Sequence, residues 1–281
     1  MITGLGRRFA ETHRAPADLE KDLGGWCLVT GASRGIGAAF ARALAERGHD
    51  LVLAARSTDD LETSAAALRK RYGVRVRTET IDLAVEGAGA ALAAAIVGAG
   101  IEVDLLVNNA GIASHGRLER IDPAVDHRLV MVNVVAVADL CHAFLPGMVE
   151  RDRGLIINVA SLGGFQPAPY LAAYAASKAF VLSYSEALAS ELEGTGVRAV
   201  ALCPGPVRTS FFDGLGSTEA AVGQQVSATA VVEIALRQAS RGRRVIVPGR
   251  LNALTAQAAR LLPRRTIAGI AKRIVGPGPS G

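Results

Sequence analysis

Seven short apolar runs, rich in β-branched residues, alternate along the chain with alanine-rich segments of helical length. That alternation constrains the fold more than any single motif. The runs are "WCLVTG" (26–31), "LVLAAR" (51–56), "VRVRTETID" (74–82), "VDLLVNNA" (103–110), "GLIINVAS" (154–161), "VRAVALCPG" (197–205) and "RRVIVPG" (243–249). Between them the pattern predicts helices over Gly35–Arg47, Asp59–Tyr72, Ala84–Ala99, Pro123–Arg151, Tyr170–Glu193 and Ala228–Ser240. Strands that alternate with helices pair in parallel and carry helices on both faces. The fourth and fifth runs are predominantly apolar, which suits strands covered on both sides. Right-handed crossovers then give an α/β fold with a doubly wound parallel sheet of about seven strands. At 281 residues, without internal repeats or a low-complexity linker, one large domain is expected. Residues 1–24 read as an N-terminal arm, 25–249 as the main body and 250–281 as a basic helical tail.

Composition narrows the function classes. No run of about 18 uncharged apolar residues marks a membrane span, and residues 1–25 hold no apolar signal core, so a cytoplasmic protein is expected. Cys27, Cys141 and Cys203 are far apart and embedded in apolar runs, so they read as core residues. The five histidines show no ligand spacing, and no metal is expected. The net charge of +5 is unevenly distributed. No acid follows Glu233, and ten lysines and arginines lie between Arg237 and Arg273, so the rest of the chain is net negative.

"TGASRGIG", Thr30 to Gly37, lies where the first strand gives way to the first helix. Glycines at 31, 35 and 37 permit a tight turn and close approach to a pyrophosphate, and the helix N-terminus offers unpaired N–H groups. The spacing differs from the common dinucleotide fingerprint, whose first two glycines are two residues apart. Its position still favours dinucleotide binding over a purely structural turn. An NAD enzyme would place an acid near the end of the second strand to bond the ribose 2′-OH. Here that strand ends Ala54-Ala55-Arg56-Ser57, and Asp50 stands at its wrong end. Arg56, with Arg34 from the turn, suits a 2′-phosphate. The expected cofactor is NADP(H); a solvated loop arginine is the alternative for Arg56.

"YAASKAF" (174–180) sets a tyrosine and a lysine one helical turn apart. The chain has four lysines against 27 arginines, which makes Lys178 conspicuous. The motifs together resemble the short-chain dehydrogenase/reductase superfamily over about residues 25–248. The resemblance covers the glycine turn (Gly31, Ser33, Arg34, Gly35, Ile36, Gly37), Asp82 and Leu83 in "IDL", and Asn109, Ala110 and Gly111 of "NNAG". It continues with Asn133 in "MVNVVA", Ser161 in "NVAS", Tyr174 and Lys178, and Pro204-Gly205 followed by Val207 and Thr209. It implies a Rossmann-like homodimer or homotetramer in which Asn133, Ser161, Tyr174 and Lys178 are catalytic and the other motif residues, with Arg56, bind NADP(H). In that scheme Tyr174 is the acid in reduction and the base in oxidation. Lys178 lowers its pKa and bonds the nicotinamide ribose, Ser161 holds the substrate oxygen, and Asn133 helps hold a relay water. Read singly, Ser161 is also compatible with a core hydroxyl, and Asn133 with a helix cap or kink.

Substrate is expected over the carboxyl ends of the strands, between Leu162–Pro169 and Val207–Ser227. Phe165, Gln166, Phe211, Phe212 and Leu215 would line it, with Tyr170 as a wall and His115 as a loop histidine nearby. Apolar walls suggest a hydrophobic ketone and its secondary alcohol. A 3-oxoacyl reductase is the alternative within the class, and a non-catalytic dinucleotide sensor the alternative outside it. In the tail, Leu251, Leu254, Ala258 and Leu261, then Ile267, Ile270 and Ile274 after Pro263, predict two short amphipathic helices. Their apolar stripe is expected to pack on the body or a second subunit. Anionic lipid, an acidic carrier protein and an acyl-CoA phosphate are the alternatives. Nucleic acid is not expected, because the basic residues lack interleaved aromatics.

Overall fold

The computed structural model describes residues 23–207 and 225–276. Seven parallel strands form one sheet in the order β3-β2-β1-β4-β5-β6-β7. They are β1 (Trp26–Thr30), β2 (Leu51–Ala55), β3 (Val76–Thr80), β4 (Val103–Asn108), β5 (Gly154–Val159), β6 (Val197–Leu202) and β7 (Val245–Ile246). The predicted alternation holds throughout, with the strands shorter at their ends. The seventh is cut to two residues, hydrogen-bonded only alongside Ala201 and Leu202. β4 and β5 are buried at every position, Asp104, Asn108 and Asn158 included, as strands covered on both faces require.

Two layers of helix cover the sheet. On one face α1 (Gly35–Glu46), α2 (Thr58–Tyr72) and α7 (Ala228–Ser240) close a core that includes Phe40, Leu44, Leu61 and Val232. On the other lie α3 (Ala88–Gly98), α5 (Ala136–Glu150) and α6 (Ala172–Glu191), around Leu92, Leu140, Phe144 and Val181. Local signals set the helix ends. Ser57 caps α2 by accepting from the Asp60 amide, and Gly73 stops it at φ 72°. Acids fill its first turn and bases its last, matching the helix dipole. α3 begins at Ala88, four residues later than predicted, after Gly87 at φ 73°.

The helix predicted over Pro123–Arg151 is interrupted. α4 (Pro123–Val130) passes through a π-helical turn, Met131–Val135, into α5. Such a turn admits one extra residue into the ladder. Of the described helices, the run 123–150 alone is long and apolar enough to cross a membrane; here it lies partly buried against the sheet and the site floor. β1 lies between β2 and β4, and the helices that follow β1 and β4, α1 and α5, cover opposite faces. In an open parallel sheet this divergence opens a crevice at the strands' carboxyl ends.

Two further helices, α8 (Arg250–Leu261) and α9 (Arg264–Val275), follow β7. The break at Pro263 is as predicted, and Ile267 of the predicted stripe is buried, but the buried face of α8 is not the predicted one. Asn252, Ala256, Ile267 and Ala271 point inward, whereas Leu251, Leu254 and Leu261 are exposed. α8 rests on the turn 162–165, and Asn252 stands against Gly205. Contact this close admits small side chains and turns the leucines outward.

Candidate active site

The crevice is a cleft of about 580 Å³. Its floor at the β1 end is the glycine turn, where Gly31, Ser33, Arg34, Gly35 and Ile36 all line the cleft. Gly31 has φ 62°, and a Cβ there would meet Ala110 Cα at 2.9 Å. Only glycine fits. Gly37 does not line the cleft; its missing side chain lets α1 approach within 2.2 Å, measured to a would-be Cβ, of the Gly31 carbonyl. The turn is clamped to the loop after β4. The amides of Asn109 and Ala110 both donate to Thr30 Oγ1 at 3.0 Å. Asn109 Nδ2 donates to the carbonyls of Thr30 at 2.9 Å and Gly31 at 3.2 Å. α1 starts at Arg34 with no side chain capping it, so its first amides are available to an anion.

At the outer end of this floor stand Arg34 and Arg56, both exposed. Among the described residues neither makes an ion pair. Asp50 is at the opposite end of β2, paired with Arg75 at 2.6 Å. Asp60, in the first turn of α2, is the carboxylate nearest to Arg56 in sequence on this wall. Asp82 and Leu83 line the next stretch. The Asp82 carboxyl is held below its ordinary pKa, chiefly by the Ala84 amide at 3.0 Å and then by the Arg128 guanidinium at 2.9 Å.

The other end of the cleft is buried. Ser161 lies two residues beyond β5, and Tyr174 and Lys178 come from the first two turns of α6. Gly163 N donates to Ser161 Oγ at 3.1 Å, and the Ser161 side chain hydrogen-bonds the Tyr174 hydroxyl. Lys178 Nζ donates to the Val159 carbonyl at 2.8 Å and lies 5.9 Å from the Tyr174 ring centroid. Burial pushes the Lys178 ammonium down to about 8. Burial also raises the Tyr174 phenol, with the Ser161 bond opposing. The sequence expectation is that Lys178 lowers the tyrosine; here desolvation of the hydroxyl raises it, and the one opposing influence is the Ser161 bond.

Asn133 is fully buried in the π turn, behind the cleft rather than on it. Its Oδ1 accepts from Ile112 N at 3.0 Å, and its Nδ2 donates to Ile112 O at 2.9 Å and Ser177 Oγ at 3.0 Å. Ser177 donates in turn to the Tyr174 carbonyl at 2.7 Å. A Cβ at Gly111 would stand 3.3 Å from Asn133 Oδ1 and 3.4 Å from Lys178 Nζ, so glycine leaves those two groups a common gap. Leu129, Ala168, Leu171 and Ala175 form a small apolar core with Tyr174.

Pro204, Gly205 and Val207 line the cleft below β6, with Leu162 N donating to Pro204 O at 2.9 Å. Gln166 also lines it, whereas Phe165 packs on the core behind α6. Thr209, Phe211, Phe212 and Leu215 lie outside the described residues. Tyr170 is not a wall of this cleft. It adopts φ 68°, precedes α6, and faces His115, 6.5 Å away between ring centroids, and a smaller neighbouring hollow. The residues that spacing did not reveal are Ser177, Arg128 and Asn252. Ser177 stands one position before Lys178, where a 3.6-residue period turns it toward Asn133. Arg128 and Asn252 meet their partners only through the tertiary fold.

A family model described as short chain dehydrogenase matches residues 25–220. A very-long-chain 3-oxoacyl-CoA reductase of Phaeosphaeria nodorum is 39% identical over 184 residues, 62% of this chain and 52% of that protein. The chain thus spans about half the length of that relative. A short-chain dehydrogenase from Sphingobium yanoikuyae in complex with NADPH is 32% identical, with a TM-score of 0.76 over 89% of this chain and 94% of that one. A 7beta-hydroxysteroid dehydrogenase structure is 26% identical, with a TM-score of 0.82 over 91% of this chain and 99% of that one.

Proposed function

Because the chain belongs to the short-chain dehydrogenase family, we propose that it is an NADP(H)-dependent oxidoreductase interconverting a hydrophobic ketone and its secondary alcohol. The observation that carries this reading is the set of Ser161, Tyr174 and Lys178 on one cleft wall, braced by Asn133 from behind. The glycine cradle and the two unpaired arginines suit a dinucleotide with a 2′-phosphate. When bound, the nicotinamide supplies hydride to the carbonyl carbon in reduction and accepts it in oxidation.

The chain's own groups handle the oxygen and the proton. Ser161 Oγ already accepts from Gly163, which leaves its hydroxyl hydrogen to donate toward a substrate oxygen. Tyr174, sharing a hydrogen bond with Ser161, gives its proton to that oxygen as charge develops there. The Lys178 ammonium stabilises the phenolate left behind. Each pKa unit by which it does so is worth about 1.4 kcal/mol. In oxidation the phenolate takes the proton back from the alcohol. Asn133 and Ser177 fix the Tyr174 carbonyl and the Ile112 backbone, holding the first turns of α6 to the loop that bears Gly111.

The relatives named very-long-chain 3-oxoacyl-CoA reductase favour a second, narrower reading, in which the ketone is the 3-oxo group of a long-chain thioester. Following NADPH absorbance with a panel of ketones, 3-oxoesters and 1,2-diketones tests both. Turnover of bulky apolar carbonyls is expected, with preference for 3-oxo substrates under the narrower reading. Tight NADPH binding without turnover of any carbonyl would favour a dinucleotide sensor instead.

A further inference from the structure

The two helices after β7 present their large apolar residues to solvent. Leu251 is 58% exposed, Leu254 66%, Leu261 85%, Leu262 45% and Ile270 48%. Positions 251, 254, 258 and 261 are three and four apart, so they form one stripe on α8. A surface helix ordinarily turns such a stripe inward. Here the inward positions are held by Asn252 and Ala256, because Gly205 and the 162–165 turn come too close for anything larger. α9 anchors through Ile267 and Ala271, and its end at Gly276 reaches Tyr170, where a Cβ would stand 3.2 Å from the ring. α8 therefore rests on a segment that lines the cleft, and α9 ends beside the neighbouring hollow at Tyr170.

The same two helices carry Arg250, Arg264, Arg265, Lys272 and Arg273, all exposed. Among the described residues none of these five makes an ion pair. The chain has no acidic residue after Glu233, so these helices contain no carboxylate. We propose that the outward face of α8 and α9 is a docking surface for a membrane that carries anionic lipid. Exposed leucines beside unneutralised cations are what such an interface takes up: the side chains enter the acyl boundary and the cations meet headgroup phosphates. Charge argues against a second copy of the chain. A two-fold contact brings each patch onto itself, and here it would oppose cations to cations without an acid between them. Resting on the reading of the cleft as a reductase of hydrophobic carbonyls, docking would hold the cleft mouth at the bilayer, where an acyl-chain substrate resides.

Flotation of the full chain with vesicles of phosphatidylcholine, with and without phosphatidylglycerol, reads the docking without reference to activity. Binding is expected only with phosphatidylglycerol, and it should weaken at high salt. A Leu254→Glu/Leu261→Glu variant should lose about tenfold or more of that binding, as should Arg264→Glu/Arg265→Glu. Both should keep the wild-type elution volume on gel filtration and the wild-type NADPH oxidation rate with a short, water-soluble ketone. Failure of wild-type protein to turn over any carbonyl of the panel would remove the reductase reading and leave the docking result standing. Absence of wild-type binding to anionic vesicles would overturn the proposal. Salt-insensitive binding would do the same, as would a change of oligomer size in the leucine variant, which would assign the stripe to a second copy. Binding that is lost to neither variant would also overturn it.

Discussion

The two ends of the cleft are built on opposite plans. At the reaction end, Tyr174, Lys178, Asn133 and Ser177 are buried; a chain of hydrogen bonds runs from Asn133 through Ser177 to the Tyr174 carbonyl, and Lys178 is held by the Val159 carbonyl. At the ribose end, Arg34 and Arg56 stand in solvent. Proton transfer is short-ranged and needs fixed geometry, which burial supplies at the cost of displaced pKa values. Recognition of a phosphate by charge tolerates mobile partners, so exposed guanidinium groups suffice. Substitutions should therefore act sharply at one end and by degrees at the other.

The largest expected effect is at Tyr174. Tyr174→Phe keeps the ring packing and removes the proton, so kcat should fall about 10²–10⁴-fold while NADPH still binds. Tyr170→Phe, outside the cleft, should change the rate far less. Stopped-flow turnover beside fluorescence titration of NADPH checks both, and equal losses at the two tyrosines would erase the distinction between the site residue and its neighbour outside the cleft.

Next is the ribose end. Arg56→Asp replaces a phosphate partner with a like charge and offers an acceptor to a 2′-OH. Catalytic efficiency with NADPH should drop about 10–100-fold relative to NADH, on the scale of one or two charged hydrogen bonds. A wild-type enzyme that prefers NADH would break the comparison here.

Ser177→Ala tests whether the reaction end depends on its bracing. It leaves Asn133 Nδ2 with the Ile112 carbonyl alone and removes the side-chain donor to the Tyr174 carbonyl. A net hydrogen bond is worth about 0.5–1.5 kcal/mol, so kcat should fall by roughly 2–12-fold, with KM for NADPH little changed. Ser177→Thr should restore part of it, whereas loss of NADPH binding would mark the residue as a general packing element.

The smallest effect concerns stability. Lys178 titrates at about 8 in the folded chain against an ordinary 10.5. Between those values the unfolded chain holds the extra proton, so the lysine's contribution makes stability rise with pH. That contribution is complete above the unfolded value and is lost as pH falls through the folded one. Tyr174, raised above its ordinary 10.0, acts in the opposite sense only at higher pH. The thermal midpoint of wild type should therefore rise relative to Lys178→Met between about pH 8 and 10, by a few degrees at most. Arg56→Asp should leave that slope intact.

The strands were legible because a parallel sheet buried on both faces writes itself as predominantly apolar runs, as in β4 and β5. The cofactor turn was legible because Gly31 admits no side chain. Three things were not. The helix over 123–150 reads as one period, and one extra residue inside it leaves no compositional mark. The pKa direction of Tyr174 depends on burial, which a spacing of four residues does not report. The tail's periodicity located a stripe but not its direction, since amphipathicity is unsigned until the neighbouring surface is known. Gly205 and the turn at 162–165 decided it.

The π turn at Met131–Val135 also acts as a phase shifter. One added residue advances a helix by about 100°. Before it, Leu129 faces the small core beneath Tyr174; after it, Val137, Leu140, Cys141 and Phe144 face the sheet. A single rod thereby serves two cores that do not share a direction, and the residue at the point of rotation is Asn133. Removing one residue from the turn would rotate the following helix relative to the sheet as well as dislodge the asparagine. The alignment of the site and the packing of one whole layer are thus set by the same residue count.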